Sequence, residues 1–438
     1  MLQKSKLFLT IALVLLVCFA SITSAFAAGL DGNGALVGNE ANPVQATITK
    51  NLRVPVGTNV PNATFLFTAT PVSVNDDTST TALGTMPNLQ NLSVTYSAGP
   101  VDPTTVPVTN NIMSLQKETG NIFDGVTFPH AGIFVYEITE DENASYTVLP
   151  NQNNEWISHS KAKYTLTVYV ANNAAGTGTF VSALGTVVTT TDHDGQTQDG
   201  KVDPTPGGDK STYFFSQMVF TNDYVKTNGP QDPDNPDPLK ESTLVVSKMV
   251  TGDFANRSQY FDYEMTLTIP EILSNIPASY KAYVVVKSGG AVDLAELVKP
   301  GVGTVIGSDA GGTYIEIATD KATSFALRDG IELVFVDTPV GTTYTVEKLP
   351  AVNYTPSYSV TTNGGSPVEI AGALHGGLST GTQFVGELEN RADFVSTRDS
   401  VTPTGLNLND LPFIVLVVLG LSGLALFLVV KVRSGRSA

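Results

Sequence analysis

Apolar and polar residues alternate one for one through most of this chain, and that period decides its class. "YTLTVYV" (164–170), "NLSVTY" (91–96), "TLVVSK" (243–248) and "KAYVVVK" (281–287) each put every second side chain on one face. This is the two-residue repeat of a strand, not the 3.6-residue repeat of a helix. β-Branched and aromatic residues fill these runs, and Gly, Pro and Asn separate them, as tight turns between pleated strands require. No amphipathic helix of any length interrupts them. The expected class is all-β: two tandem Ig-like β-sandwich modules, each burying the apolar faces of two sheets against each other.

The two ends break the pattern. Residues 1–28 read as a secretory signal peptide, with Lys4 and Lys6, an apolar stretch from Leu7 to Ile22, and "SAFAA" ahead of a cleavage point near Ala27 or Ala28. Residues 411–430, "LPFIVLVVLGLSGLALFLVV", carry no charge and at about 20 residues are long enough for a transmembrane helix. Lys431, Arg433 and Arg436 follow, which keeps that end cytoplasmic. The region between is expected to be exported. The single cysteine, Cys18, lies within the signal, and Val17 before it is not the small residue of a lipoprotein signal. A mature chain without thiols has no disulfide, the usual extracellular staple, and no thiol nucleophile, thioester or iron–sulfur site. The net charge of −17 becomes −19 when the two signal lysines are removed. Such acidity argues against nucleic acid or anionic lipid as partners.

"KTNGPQDPDNPDPLKES" (226–242) has four prolines, several acids and no apolar run, the composition of a semi-rigid linker. It divides the chain into a signal (1–28), a first module (38–226), a linker (227–240), a second module (241–398) and a C-terminal segment (399–438). The modules echo each other. "FDGVTFPHAGIFVYEITE" (123–140) and "LRDGIELVFVDTPVGTTYTVEK" (327–348) both give Asp-Gly, an apolar run, Pro, a turn glycine and a Tyr-containing strand. Each module also opens with a strand that ends in lysine, "TITK" and "VVSK".

In the first module three polar residues continue apolar rows. Lys50 follows Val44, Ala46 and Ile48; Glu140 follows Phe134, Tyr136 and Ile138; Asn222 follows Met218 and Phe220. Each is expensive to bury alone, whereas together they can satisfy one another. A desolvated lysine tends to the neutral amine and a desolvated carboxyl to the neutral acid. The amine could then attack the asparagine carboxamide while the carboxyl carries protons, leaving a Lys–Asn isopeptide bond in place of a disulfide. The alternative is ordinary strand-end chemistry, with a lysine snorkelling to solvent, a solvated glutamate and a turn asparagine.

Together, "TITKNL", "ATFLFTAT", "FDGVTFPHAGIFVYEITE", "YTLTVYV" and "MVFTNDY" resemble the pilin isopeptide-linkage domain of Gram-positive, streptococcal-type backbone pilins over most of residues 40–226. The resemblance implies a cross-link between Lys50 and Asn222, with Glu140 as the proton shuttle. Residues 241–398 resemble a related module of the collagen-adhesin B type and depart from its pattern. Lys248 sits on its apolar row, but four residues after Tyr344 stands Lys348, and Glu347 faces the other way unless a bulge intervenes. Ser396 takes the place of the asparagine on "ADFVSTRD". Asn390 follows Leu388 by parity but lies early. If this module has a cross-link, Lys248 and Asn390 are its candidates.

"VTPTG" (401–405) is similar to the sortase sorting motif LPxTG, with its proline one residue later, and it stands before an apolar span and a basic tail. The resemblance implies that a sortase cleaves between Thr404 and Gly405 and passes the Thr404 acyl group to an amine. That amine would belong to a peptidoglycan precursor or to a neighbouring pilin subunit. No Tyr-Pro-Lys motif marks a donor lysine; Lys161, Lys163, Lys210 and Lys226 are all candidates. "DHDGQTQDG" (192–200) loosely suggests a calcium loop but lacks the closing glutamate. His130, His159, His193 and His375 show no metal spacing. There is no nucleophile elbow, phosphate loop or dinucleotide fingerprint. The expected function is therefore non-enzymatic, without metal or cofactor: a structural pilin subunit on the cell wall, or an anchored adhesin whose first-module loops bind a host or neighbouring-cell ligand.

Overall fold

The computed structural model describes residues 37–143, 145–146, 155–192, 198–207, 217–227, 229, 234–273, 276–288, 293–297, 306–399 and 411–434. Residues 1–28, expected to be a signal peptide, Lys210 and the motif bearing Thr404 and Gly405 lie outside the described residues.

The first half contains β1 (Ile48–Pro55), β2 (Ala63–Val74), β3 (Ser93–Tyr96), β4 (Val108–Thr109), β5 (Ile112–Glu118), β6 (Gly132–Glu140), β7 (Glu155–Ser158), β8 (Lys163–Asn172), β9 (Thr179–Thr190) and β10 (Met218–Lys226). They form two sheets, ordered β4-β5-β1-β10-β7 and β3-β2-β6-β8-β9. The second half contains β11 (Leu244–Thr251), β12 (Phe261–Thr268), β13 (Ser279–Val286), β14 (Ile306–Asp309), β15 (Gly312–Ala318), β16 (Thr323–Leu327), β17 (Ile331–Phe335), β18 (Thr343–Lys348), β19 (Thr355–Thr361), β20 (Val368–Ala371), β21 (Leu378–Ser379), β22 (Gln383–Phe384) and β23 (Arg391–Thr397). Its sheets are ordered β14-β15-β13-β17-β11-β23-β19-β20 and β16-β12-β18-β21, with β22 beside β18. The protein is mainly β-sheet, as the period-two pattern requires.

Each half closes on itself in the same way. Its first and last strands, β1 with β10 and β11 with β23, are neighbours and run parallel. Parallel neighbours cannot be joined by a hairpin, so the rest of the module forms the crossover. An antiparallel strand flanks each first strand, β5 beside β1 and β17 beside β11. Strands β6 and β8 alternate buried with less buried residues, whereas β1 and β10 are buried on nearly every residue. Two large apolar cores result, one centred on Phe65, Phe134, Tyr164 and Phe220, the other on Phe261, Tyr263, Phe325 and Phe394.

The two Asp-Gly repeats place Gly125 (φ +70°) and Gly330 (φ +73°) in the left-handed region that glycine tolerates best. They then diverge. Residues 331–335 form β17, but the corresponding run after Gly125 is stopped by Pro129 and forms no strand, so β5 from further upstream takes the place beside β1. The halves touch through Glu387, which accepts hydrogen bonds from Asn59 (2.6 and 2.9 Å) and Lys226 (3.1 Å). Phe384 packs against the first core.

Leu411–Ser434 is a helix, where the transmembrane segment was expected. Its described side chains run from Val415 to Lys431 and are exposed. Among the described residues no helix is long and apolar enough to cross a membrane.

Candidate functional site

β1 and β10 carry Lys50 and Asn222 into the first core on adjacent strands. Lys50 lies opposite Phe220, and Leu52, two residues on, lies opposite Asn222. Glu140 is the last residue of β6, in the facing sheet, paired with Phe67 of β2. Parity therefore brings all three side chains into the space between the sheets. Lys50 and Asn222 are fully buried, and the Glu140 side chain is likewise without solvent exposure.

Lys50 Nζ donates to Glu140 Oε2 at 2.6 Å, and Asn222 Nδ2 donates to Glu140 Oε1 at 2.6 Å. The carboxylate thus bridges the amine and the amide nitrogen. The Phe65 ring lies 4.6 Å from Lys50 Nζ, and the Phe67–Phe220–Tyr164 cluster seals the site. A ring face stabilises an ammonium that has lost its water.

Two partners were not read from the sequence. The backbone N–H of Ser160 donates to Asn222 Oδ1 at 2.7 Å, a single oxyanion-type donor aimed at the amide oxygen. Its loop is held by Asp192, whose Oδ2 accepts from Ser160 Oγ (2.7 Å), Ala162 N (3.0 Å) and Lys161 N. His159 Nδ1 lies 2.9 Å from Glu140 Oε1 and 3.2 Å from Asn222 Nδ2. Neither role carries a sequence signal, because both depend on where the loop before β8 returns.

One expectation is corrected. The carboxyl was expected to be a neutral acid. Burial does push Glu140 upward, but the His159 hydrogen bond, the Lys50 charge, and the Lys50 and Asn222 hydrogen bonds outweigh it. They hold the carboxyl below its ordinary range. Burial lowers Lys50 to about 8 against the pull of Glu140. The resting pair at neutral pH is an ammonium and a carboxylate sharing one short hydrogen bond, across which a proton can pass.

The structure does not bring Lys248 and Asn390 together. Asn390 Nδ2 donates to Thr243 O, Gly386 O and Leu388 O, and its Oδ1 accepts from Asn363 N and Gly386 N. This amide ties a loop, ahead of the register in which Lys248 sits opposite Phe394. Lys248 Nζ instead donates to Ser396 Oγ at 2.5 Å. β12 and β18 pair without a bulge, so Glu347 is exposed and Lys348 buried.

Of the candidate donor lysines, Lys161 pairs with Glu142, Lys163 with Glu137 at 3.7 Å, and Lys226 with Glu387 and Glu155. Most of the suggested calcium loop, including His193, lies outside the described residues. Among the described residues no group of three metal-ligating side chains occurs.

These features define a class: two tandem β-modules, each closed by parallel terminal strands, the first with a lysine, glutamate and asparagine buried in contact. A family described as a domain of unknown function (DUF7601) matches residues 242–373, within the second module. Over 421 residues the chain is 24% identical to a protein of Streptococcus pyogenes serotype M1 named Pilin, covering 95% of this chain and 98% of that one. Among solved structures it is similar to the major pilin of Streptococcus pyogenes, at 19% identity over 81% of this chain and 99% of that chain with a TM-score of 0.30. A pilus-presented adhesin, Cpa, is similar at 14% identity over 54% of this chain and 37% of that chain, with a TM-score of 0.23. The resemblance to Gram-positive pilins thus extends over nearly the whole sequence.

Proposed function

We propose that this protein is a structural pilin subunit of the cell surface, stapled through its first module by a self-formed bond between Lys50 and Asn222. The observation that carries this reading is the Glu140 carboxylate bridging Lys50 Nζ and Asn222 Nδ2 in a dry interior. Proton transfer from Lys50 to Glu140 frees the amine, which attacks the Asn222 carboxamide carbon. The Ser160 N–H stabilises the charge that develops on Oδ1. Glu140 passes a proton to Nδ2, the carbon–Nδ2 bond breaks and ammonia leaves. The second proton of the attacking nitrogen goes to the carboxylate, so atoms and charge balance. The reaction occurs once per chain. It supplies the covalent closure that an exported chain without mature cysteines otherwise lacks.

The C-terminal segment fits the same reading. An apolar helix followed by a basic tail would hold the exported chain in the membrane while a sortase joins Thr404 to a neighbouring subunit or to a peptidoglycan precursor. The near-complete coverage of a protein named Pilin supports assembly with further copies over a lone anchored adhesin.

Intact-mass measurement tests the bond. The parent chain should be lighter than its sequence by one ammonia, and Lys50→Ala, Asn222→Ala and Glu140→Ala should each restore the full mass. A loop of roughly 170 residues is closed, worth about 5 kcal/mol in chain-entropy terms. Asn222→Ala should therefore melt roughly 10–20 °C lower than the parent. Separate, unmodified tryptic peptides bearing Lys50 and Asn222 from the folded parent would sink the proposal.

A further inference from the structure

The second module repeats the frame of this site with other chemistry. Val250, two residues after Lys248, lies opposite Ser396, as Leu52, two residues after Lys50, lies opposite Asn222. Ser396 therefore occupies the asparagine's position. Lys348 pairs with Tyr263 of β12, as Glu140 pairs with Phe67 of β2. Phe261, two residues before Tyr263, lies 4.4 Å from Lys248 Nζ and 5.5 Å from Lys348 Nζ. Phe65, two residues before Phe67, lies against Lys50 in the same way. Lys348 therefore occupies the glutamate's position. The equivalence follows from two independent strand pairings and one ring contact.

Lys248, Ser396 and Lys348 are all buried. Lys248 Nζ meets Ser396 Oγ, and Lys348 Nζ donates to Leu349 O at 2.8 Å. Among the described residues neither amine has a carboxylate in ion-pair contact. The Lys348 charge opposes that of Lys248 more strongly than Asp329 favours it, and Asp262 is the carboxylate that acts on Lys348.

We propose that Lys248, Ser396 and Lys348 form a linkage site stripped of its electrophile and its acid, so that β11 and β23 are held together by hydrogen bonds alone. The inference rests on the reading given for the first module. The amine is placed as Lys50 is placed, but a serine side chain offers no carbonyl carbon to attack. A second lysine replaces the carboxyl that would move the protons. Ser396→Asn combined with Lys348→Glu would supply both missing groups. Lys248 Nζ would then bond to the introduced carboxamide carbon, and that carbon's bond to its own nitrogen would break. One proton would pass through the introduced carboxyl to the leaving nitrogen, and ammonia would depart.

The test uses the full chain, in the parent and in the Asn222→Ala background. Tryptic peptides bearing Lys248 and Ser396 should come away separately from the parent and fused from the double variant. The double variant should lose one ammonia beyond whatever the first module loses. If the parent already yields these peptides fused, the proposal is overturned. It is equally overturned if the double variant folds, by a cooperative melt and β-type circular dichroism, yet keeps its ammonia. Should that variant not fold, Ser396→Asp combined with Lys348→Glu carries the same test, with loss of one water; a folded variant that keeps its water overturns the proposal. A parent that loses no ammonia at all defeats the first-module reading instead, and the Asn222→Ala background keeps the second-module outcomes readable.

Discussion

At the scale of single residues, the proposed chemistry depends on one proton shared by Lys50 and Glu140. Between the lowered Glu140 value and about 8 for Lys50 the pair holds that one proton. Across this window the fraction of pairs able to react is constant. Ammonia release from freshly synthesised chain, followed by intact mass after a pH jump, should be level from pH about 5 to about 8 and fall above it. A rate that climbs through pH 8 would mean that the free amine suffices and Glu140 need not carry a proton. His159 tunes the acid limb. It lies 2.9 Å from Glu140 Oε1 and helps to hold that carboxyl down, so His159→Ala should move the low-pH limb upward and leave the high-pH limb in place.

At the scale of elements, the parallel terminal pair is the unit that matters. In both modules it sets one side chain of the last strand two residues beyond the lysine's opposite number. The first module places an amide there and the second a hydroxyl, so the pairs respond differently to pH. Burial and the neighbouring Lys348 lower Lys248 to about 6, and burial lowers Lys348 to about 8, both beneath the ordinary lysine value that the unfolded chain keeps. Between those folded values and the unfolded value the unfolded chain binds more protons, so stability rises with pH. The cost of the buried amines is fully present below about pH 6 and is relieved as pH climbs past 10. Melting of the second module should therefore shift upward between pH 6 and pH 10, and Lys248→Met should flatten that slope. An unchanged slope in Lys248→Met would assign the effect to other groups.

At the scale of the molecule, the proposed bond would divide a mechanical task between the two modules. A load entering before β1 and leaving after β10 passes through the proposed Lys50–Asn222 bond, whereas between β11 and β23 it shears hydrogen bonds. A full-length chain pulled by its ends should show one unfolding event from the second module, lengthening by roughly 500 Å for the stretch from β11 to β23. The first module should give none. A second event of similar length from the first module would mean that its terminal strands are not joined. Glu387, which accepts from both Asn59 and Lys226, and Phe384, packed on the first core, provide the seam between the modules.

Strand parity was legible in the sequence. The alternation around Lys50, Glu140, Asn222, Lys248 and Lys348 specifies inward side chains, because a period of two leaves only two faces to choose between. The same parity could not judge Asn390, because it lies one residue before β23, where the loop and not the pleat aims the amide. Nor could it show Ser160, His159 or Asp192, which reach the site through a backbone N–H and a returning loop. The amino-acid order alone determined that this is a β protein and which side chains must face inward, since those follow from local period and burial cost. Only the tertiary structure decided that the terminal strands lie side by side and parallel, and hence which inward residues meet. That pairing joins residues 170 positions apart in the first module and 146 apart in the second, which no local pattern encodes.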